Sequence, residues 1–356
     1  MDVQQPLSIF PHRFAPPRPV TIRPLLLKPQ WMNGLSERLL VDHYVEHYGG
    51  AVRLLNDIQA RLAALDRTHT PVLEINGLKR EELMAASSVI LHEIYFESLG
   101  GQGDNPPTGL EEPPADLAEA LARDFGSVVA WRAEFVAMAK ALVGGSGWVI
   151  LAWSERLGQL INQWAADHAH ALAGATPILA LDMDEHAYHR DFGTKAAAYV
   201  DQVMANLNWQ RIGARYRLAI GKGADEDAFF LPYGAPPREE ARISAEQLRA
   251  ALDGADEDRP VLLDLCLPRD LPRRTDMLAG ATMHAPAALP RWVETLPRDR
   301  PVAVYCICGF QVSGKAVTEL RRRGYDARAL AGGITAWHAI GGPTVPLDTS
   351  TYETTP

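Results

Sequence analysis

The feature that most limits what this chain can fold into is a break in rhythm at residues 221–242, GKGADEDAFFLPYGAPPREEAR. Its mix of glycine, proline and charge disfavours both helix and strand, so it reads as a linker. Before it, long stretches carry apolar residues at helical spacing. After it, short apolar runs alternate with helical stretches, the pattern of a parallel sheet with crossover helices. A chain of 356 residues is long enough for two domains, each able to bury its own core. The expected division is an extended Pro-rich leader at 1–34, a first domain at 35–220, a linker at 221–240, a second domain at 241–347 and a tail at 348–356.

Within the first domain, Ser36 is a helix N-cap, and the helical pattern runs to about Leu65. A second helix is expected from about Lys79 to Leu99, ended by GGQGDNPPTG, and a third over 114–142. WVILAW and QLINQWA read as a hairpin, PILAL (177–181) as a third strand, and Asp184 to about Leu207 as helical again. In the second domain, Ile243–Leu252 reads as a helix, and VLLDL (261–265) and PVAVYC (301–306) as strands. Ser313–Gly324 is expected to be a helix, ARALAGG to hold a short strand, and ITAWHAIG to form the last helix.

The net charge of −9 leaves no basic field to displace counterions, which argues against a nucleic-acid binder or a binder of anionic membranes. No apolar stretch approaches the ~20 residues that span a bilayer. The first residues lack a signal-peptide pattern, so a cytoplasmic location is expected. Three cysteines, Cys266, Cys306 and Cys308, all follow residue 265, and their odd number argues against a disulfide scaffold. Most of the histidines precede them. Two kinds of chemistry therefore occupy two places.

His43 and His47 lie four apart on the first helix and share a face. His92 lies on the second helix. Asp182 follows PILAL directly, with His186 four residues later. Three histidines and one carboxylate from separate elements suit a mononuclear iron, manganese or zinc site, although histidines at this spacing are also common surface or core pairs. The words HYVEHYGGAV, LHEIYFESLGG, GGSGWVILAW and LDMDEHAYHRDF, in this order, resemble the iron/manganese superoxide dismutase family over about residues 35–217. The resemblance implies an α+β fold: a helical hairpin plus an α/β half with a three-stranded sheet. It makes His43, His92, Asp182 and His186 the ligands of one iron or manganese ion per subunit. It makes His47 an outer-sphere residue, Trp148 a pocket wall, and Glu185 a residue that reaches across a dimer interface. His168 falls near the position that holds the metal-bound solvent, with Ser88 opposite. His170 reads as a surface residue. GLSERL and YGGAV look most like the branch found beside bacterial chromate-resistance genes.

The chain departs from the family pattern at three points. Ala51 stands where a gateway tyrosine is usual, Asp184 replaces a tryptophan beside the ligand pair, and His189 replaces an interface tyrosine.

In the second domain, Cys306 ends a strand and opens the loop CICGFQVS before a helix. Loop amides and the helix dipole at such a place stabilise a thiolate, although a strand cysteine is more often a small buried hydrophobe. VLLDL, DMLAGA, the CxxG loop, LAGGITAW and GGPTV resemble a rhodanese-like domain over about residues 241–347, which implies an α/β fold with a parallel sheet. The resemblance makes Cys306 a nucleophile for a sulfane-sulfur donor. Gln311 stands where that loop usually ends in a basic residue, and Cys266 where an arginine is common. Cys308 is either a resolving thiol or an inert loop residue.

The expected function is superoxide dismutation by a homodimer or larger homo-oligomer. A second, sulfurtransferase or thiol-sensing activity is expected at Cys306. The alternative is a non-enzymatic metal-binding dimer carrying a rhodanese-like regulatory module, linked to chromate or oxidative-stress tolerance.

Overall fold

A computed structural model describes residues 19–66, 68–100, 112–142, 144–223, 239–255, 258–350 and 352. Most of the leader and most of the linker lie outside the described residues, as do 351 and 353–356 of the tail. Residues 19–34 run extended apart from one 3-10 turn at Pro29–Trp31, as expected where proline recurs.

Helix α1 (Glu37–Asp42) begins at Ser36, whose Oγ accepts the Leu39 N–H at 3.0 Å. It passes through one π-helical stretch, His43–Tyr48, into α2 (Gly49–Ala64). The expected unbroken helix is thus widened at the candidate histidines, a distortion that is frequent at functional sites. Helix α3 (Val72–Ser98) starts seven residues before the expected Lys79. The expected third helix is two, α4 (Ala115–Phe125) and α5 (Val128–Ala141), split where Gly126 takes a φ of 88°.

Three antiparallel strands follow: β1 (Trp148–Ser154), β2 (Gln159–Ala165) and β3 (Ala175–Asp182), in the order β2-β1-β3. The central strand β1 is buried along almost its whole length, which explains its unbroken apolar sequence. The expected helix over 184–207 is broken by Gly193, at φ 53°, into α6 (His189–Phe192) and α7 (Ala196–Ala205). A further helix, α8 (Trp209–Ala219), had no counterpart in the expected pattern.

The second region holds a five-stranded parallel sheet. Its strands are β4 (Arg242–Ile243), β5 (Val261–Leu265), β7 (Thr282–His284), β8 (Val302–Tyr305) and β9 (Ala327–Leu330), in the order β4-β9-β8-β5-β7. A separate antiparallel pair joins β6 (Asp276–Leu278) to β10 (Thr344–Pro346). The helices are α9 (Ala245–Leu252), α10 (Leu289–Trp292), α11 (Gln311–Arg322) and α12 (Gly333–Ala339). A full capping box, Ser244 with Gln247, starts α9.

The two regions pack together. One continuous apolar cluster includes Leu39, Val52 and Phe96 from the first with Leu262, Tyr305 and Trp337 from the second. At the seam, Gly49 lies so close to α12 that an added Cβ would sit 2.6 Å from the Ala339 carbonyl oxygen. Arg53 donates to that same carbonyl. The residues 19–34 lace the seam: the Ile22 N–H donates to Glu246 at 2.7 Å and the Arg23 N–H to the Tyr48 hydroxyl at 2.9 Å.

Candidate metal centre and thiol pocket

Four elements deliver the candidate ligands. His43 comes from the π-helical stretch, His92 from the last two turns of α3, Asp182 from the end of β3 and His186 from the turn after it. One nitrogen or oxygen atom from each lies within 4.8 Å of all the others. Asp182 is the hub. Its Oδ1 accepts the Asp184 N–H at 2.9 Å, which aims Oδ2 at the histidines. That oxygen lies 3.2 Å from His43 Nε2, 3.1 Å from His186 Nε2 and 3.6 Å from His92 Nε2.

Burial defines what this cluster needs. Asp182 is fully buried, and His43 and His92 are 1 % exposed. Burial pushes the Asp182 carboxyl up, but the hydrogen bond from His186 and the closeness of the His43 imidazole outweigh it and leave the group ionised far below the usual carboxylate range. Burial draws His43 and His92 down, so both stay neutral. The Nε2 atoms of His43 and His92 have no hydrogen-bond partner. Buried polar atoms are rarely left so, because each loses its water without compensation. A buried carboxylate facing neutral imidazoles with free nitrogens fits a divalent or trivalent cation. The N3O donor set suits iron or manganese.

The surroundings orient the donors. His92 Nδ1 lies 2.8 Å from the carbonyl oxygen of Ser88, one turn earlier, and donates there, which directs Nε2 to the cluster. The Ser88 hydroxyl is 3.3 Å from the same nitrogen. His47 is exposed and stacks on His186, with ring centroids 3.7 Å apart and planes 9° apart. Loss of water from the ring face stacked on His186, with the charges of His186 and His43 beside it, lowers the His47 pKa to about 4. Trp148 is fully buried and meets His92 edge-on; its Nε1 donates to His168 Nδ1 at 2.8 Å. His168 is half-buried at the mouth of the site. His170 is exposed and pairs with Asp167 instead.

Asp184 holds the backbone together near the cluster. Its Oδ1 accepts the Gly147 N–H at 2.9 Å and ties the turn after β3 to the start of β1. Gly147 is needed there, since its φ is 128° and a Cβ would sit 2.2 Å from the Ala165 carbonyl oxygen. Ala51 lines a cavity of about 260 Å³ that reaches His92, His168 and His186. Its methyl group leaves open the space a larger side chain would fill. Glu185 and His189 are exposed beside the cluster. The sequence reading passed over Tyr95 and Phe96, whose rings each lie 5.0 Å from that of His43, and Tyr199, whose hydroxyl is 3.2 Å from that of Tyr95. Spacings of three and four from His92 were the available signal for the first two.

The thiols gather elsewhere. Cys306 Sγ, just past β8, accepts the Gly309 N–H at 3.3 Å and lies 3.5 Å from the Ser313 hydroxyl. Cys266 and Cys308 line the same small cavity. Burial pushes the Cys266 thiol up to about 11 and the Cys308 thiol up to about 12, so both stay protonated at neutral pH. That weakens Cys308 as a resolving thiolate.

The α-helical half, the three-stranded sheet and the largely buried three-histidine, one-carboxylate cluster define a mononuclear metalloprotein of mixed α+β architecture. The profile for the C-terminal domain of iron/manganese superoxide dismutases matches residues 113–215. A superoxide dismutase [Fe] of Cupriavidus metallidurans is 56 % identical over 199 residues, 56 % of this chain and 97 % of that protein. A superoxide dismutase [Fe] of Aquifex pyrophilus is 32 % identical over 54 % of this chain and 90 % of its own length. A superoxide dismutase [Mn] 2 of Haloferax volcanii is 34 % identical over 52 % of this chain and 89 % of its own length. The chain belongs to the iron/manganese superoxide dismutase family. These relatives match little more than half of it.

Proposed function

We propose that the first domain catalyses superoxide dismutation, in which two superoxide ions and two protons give dioxygen and hydrogen peroxide. One iron or manganese ion per subunit is held by His43, His92, Asp182 and His186. The observation that carries this reading is the convergence of four donor atoms, three on buried residues and two of them unpartnered imidazole nitrogens, with His92 and His186 opening onto the cavity beside Ala51. The bound ion supplies one-electron chemistry by alternating between two oxidation states.

The protein's own groups supply the rest. The Asp182 carboxylate offsets positive charge in a site with no other buried anion among the four donors. The Ser88 carbonyl holds His92 in the tautomer that leaves Nε2 free to ligate. His168 Nδ1 accepts the hydrogen bond of the Trp148 indole N–H, so its Nε2 is the atom that carries a proton towards the cavity. His47 steadies the His186 ring by stacking on it. Exposed Glu185 and His189 suit a homodimer contact in which Glu185 reaches the partner subunit. The branch-type motifs GLSERL and YGGAV extend the reading to chromate and oxidative-stress tolerance, checked by the chromate sensitivity of a deletion strain.

For the second region, a rhodanese-like activity at Cys306 is the accompanying proposal. The Cys306 thiolate attacks a sulfane sulfur, a new S–S bond forms, and the donor's remainder leaves with the old bond's electron pair. The Gly309 N–H at the sulfur and the α11 N-terminus beside it support this role. Mass spectrometry should find a persulfide on wild-type protein treated with a sulfane-sulfur donor and none at residue 306 of Cys306→Ser.

The main reading is tested by superoxide consumption per bound ion on the full chain. Turnover that scales with iron or manganese content supports the enzyme. Full metal content without turnover supports the non-enzymatic alternative, which Ala51 favours by leaving the channel without a gateway hydroxyl.

A further inference from the structure

The Cys306 cavity, about 60 Å³, is not built by the second region alone. Lys28, Gln30 and Trp31, from the extended segment that precedes the metal-binding domain, close one side of it. Lys28 is no wandering surface lysine. It is 9 % exposed, its Nζ donates to Gln311 Oε1 at 3.3 Å, and the ammonium sits 3.9 Å from the Trp31 ring centroid. The Lys28 carbonyl accepts the Trp31 N–H at 2.9 Å, so a 3-10 turn fixes the pair. Burial draws the lysine's pKa down, while Cys308 and Cys306 draw it up, so the ammonium and the thiols share one electrostatic environment. Among the described lining residues, Arg269 is a second cation, exposed and more open to screening by salt, and Asp270 is the one carboxylate, its charge met by Arg273 at 2.9 Å.

We propose that Lys28 is the positioning cation of the Cys306 pocket, making it selective for small anionic electrophiles, and that the thiol site is therefore completed by the chain segment preceding the metal-binding domain. The inference rests on the reading of Cys306 as the reactive thiol and deepens it by naming the class of reagent the pocket admits. The physical basis is charge at close range: an anion entering the cavity meets a partly desolvated ammonium held in one place by Gln311 and Trp31. A neutral reagent of the same size gains nothing from it.

The test compares iodoacetate with iodoacetamide on the full, metal-loaded chain. In both reactions the Cys306 sulfur forms a bond to the methylene carbon, the C–I bond breaks, and iodide leaves with the electron pair. Peptide mass spectrometry reads the rate at Cys306 separately from those at Cys266 and Cys308. Lys28→Gln and Lys28→Met are expected to lower the iodoacetate-to-iodoacetamide rate ratio about 5-fold, with the iodoacetamide rate changed less than about 2-fold, and Lys28→Arg to keep the ratio near wild type. Unchanged metal content shows that a variant is folded, and the methionine variant fills the lysine's slot if the glutamine variant does not fold. A ratio unaffected in folded Lys28→Gln or Lys28→Met overturns the proposal, as does a Cys306 that neither reagent reaches. If the ratio falls but no sulfane-sulfur donor ever forms a persulfide, the sulfur-transfer reading fails and the anion-selective pocket stands.

Discussion

Trp148 and Asp182 are direct partners across the antiparallel β1–β3 ladder. One begins its strand and the other ends it, so the strand ends bring the carboxylate hub and the indole that holds His168 to the same edge of the sheet. Because side chains alternate along a strand, a slip of one residue would turn Asp182 away from the histidines. Trp148→Phe keeps an aromatic ring in the pocket wall but deletes the Nε1 donor to His168. We expect unchanged metal content and a fall in superoxide turnover per ion of about 10-fold, the usual scale for an outer-sphere loss. Equal turnover in both proteins would remove His168 from the proton path.

Metal binding and stability are coupled, because an ion that binds only the folded chain stabilises it by mass action. Removing the metal with a chelator is expected to lower the Tm of the wild type measurably. The Tm of His186→Ala should be nearly insensitive to added iron or manganese. Scanning calorimetry with and without chelator checks both.

The seam between the two regions depends on the missing side chain at Gly49. Gly49→Val drives a branched side chain into the backbone at Ala339. Overpacking of this kind costs about 1–3 kcal/mol. Denaturant unfolding should show the loss, and limited proteolysis should cut 221–242 faster, while the metal stays bound. A Gly49→Val protein as stable as wild type would contradict this close approach.

Buried Arg274 donates to both carboxylate oxygens of Asp264, at 2.7 Å and 3.2 Å. Arg274→Met leaves that carboxylate buried without its partner, which typically costs about 3–5 kcal/mol. Adding Asp264→Leu removes the orphaned charge and should restore much of the loss. Chemical denaturation of the two variants gives the comparison.

The sequence showed the site more plainly than the helix boundaries. Asp182 and His186 were visible because a strand that ends in a carboxylate, with a histidine four residues on, is a local pattern. His43 and His92 were visible as histidines on apolar helices. The early start of α3 was hidden because Asn76–Gly77 reads as a break and Val72 and Leu73 show no buried face. In the structure Gly77 points into open space, and the helix runs through it. The helix breaks at Gly126 and Gly193 depend on positive φ values at glycines set among otherwise helical residues. Lys28 at the Cys306 cavity was out of reach for another reason: the two residues meet through tertiary packing across nearly the whole chain, which no local pattern encodes.

The central claim is that these four side chains hold the catalytic ion. The most direct measurement is iron and manganese content, by elemental analysis, of full-length wild type beside His92→Ala purified in the same way. The account predicts close to one ion per wild-type chain and a large loss in His92→Ala, with superoxide consumption falling in parallel. Equal iron or manganese content in the two proteins would contradict it.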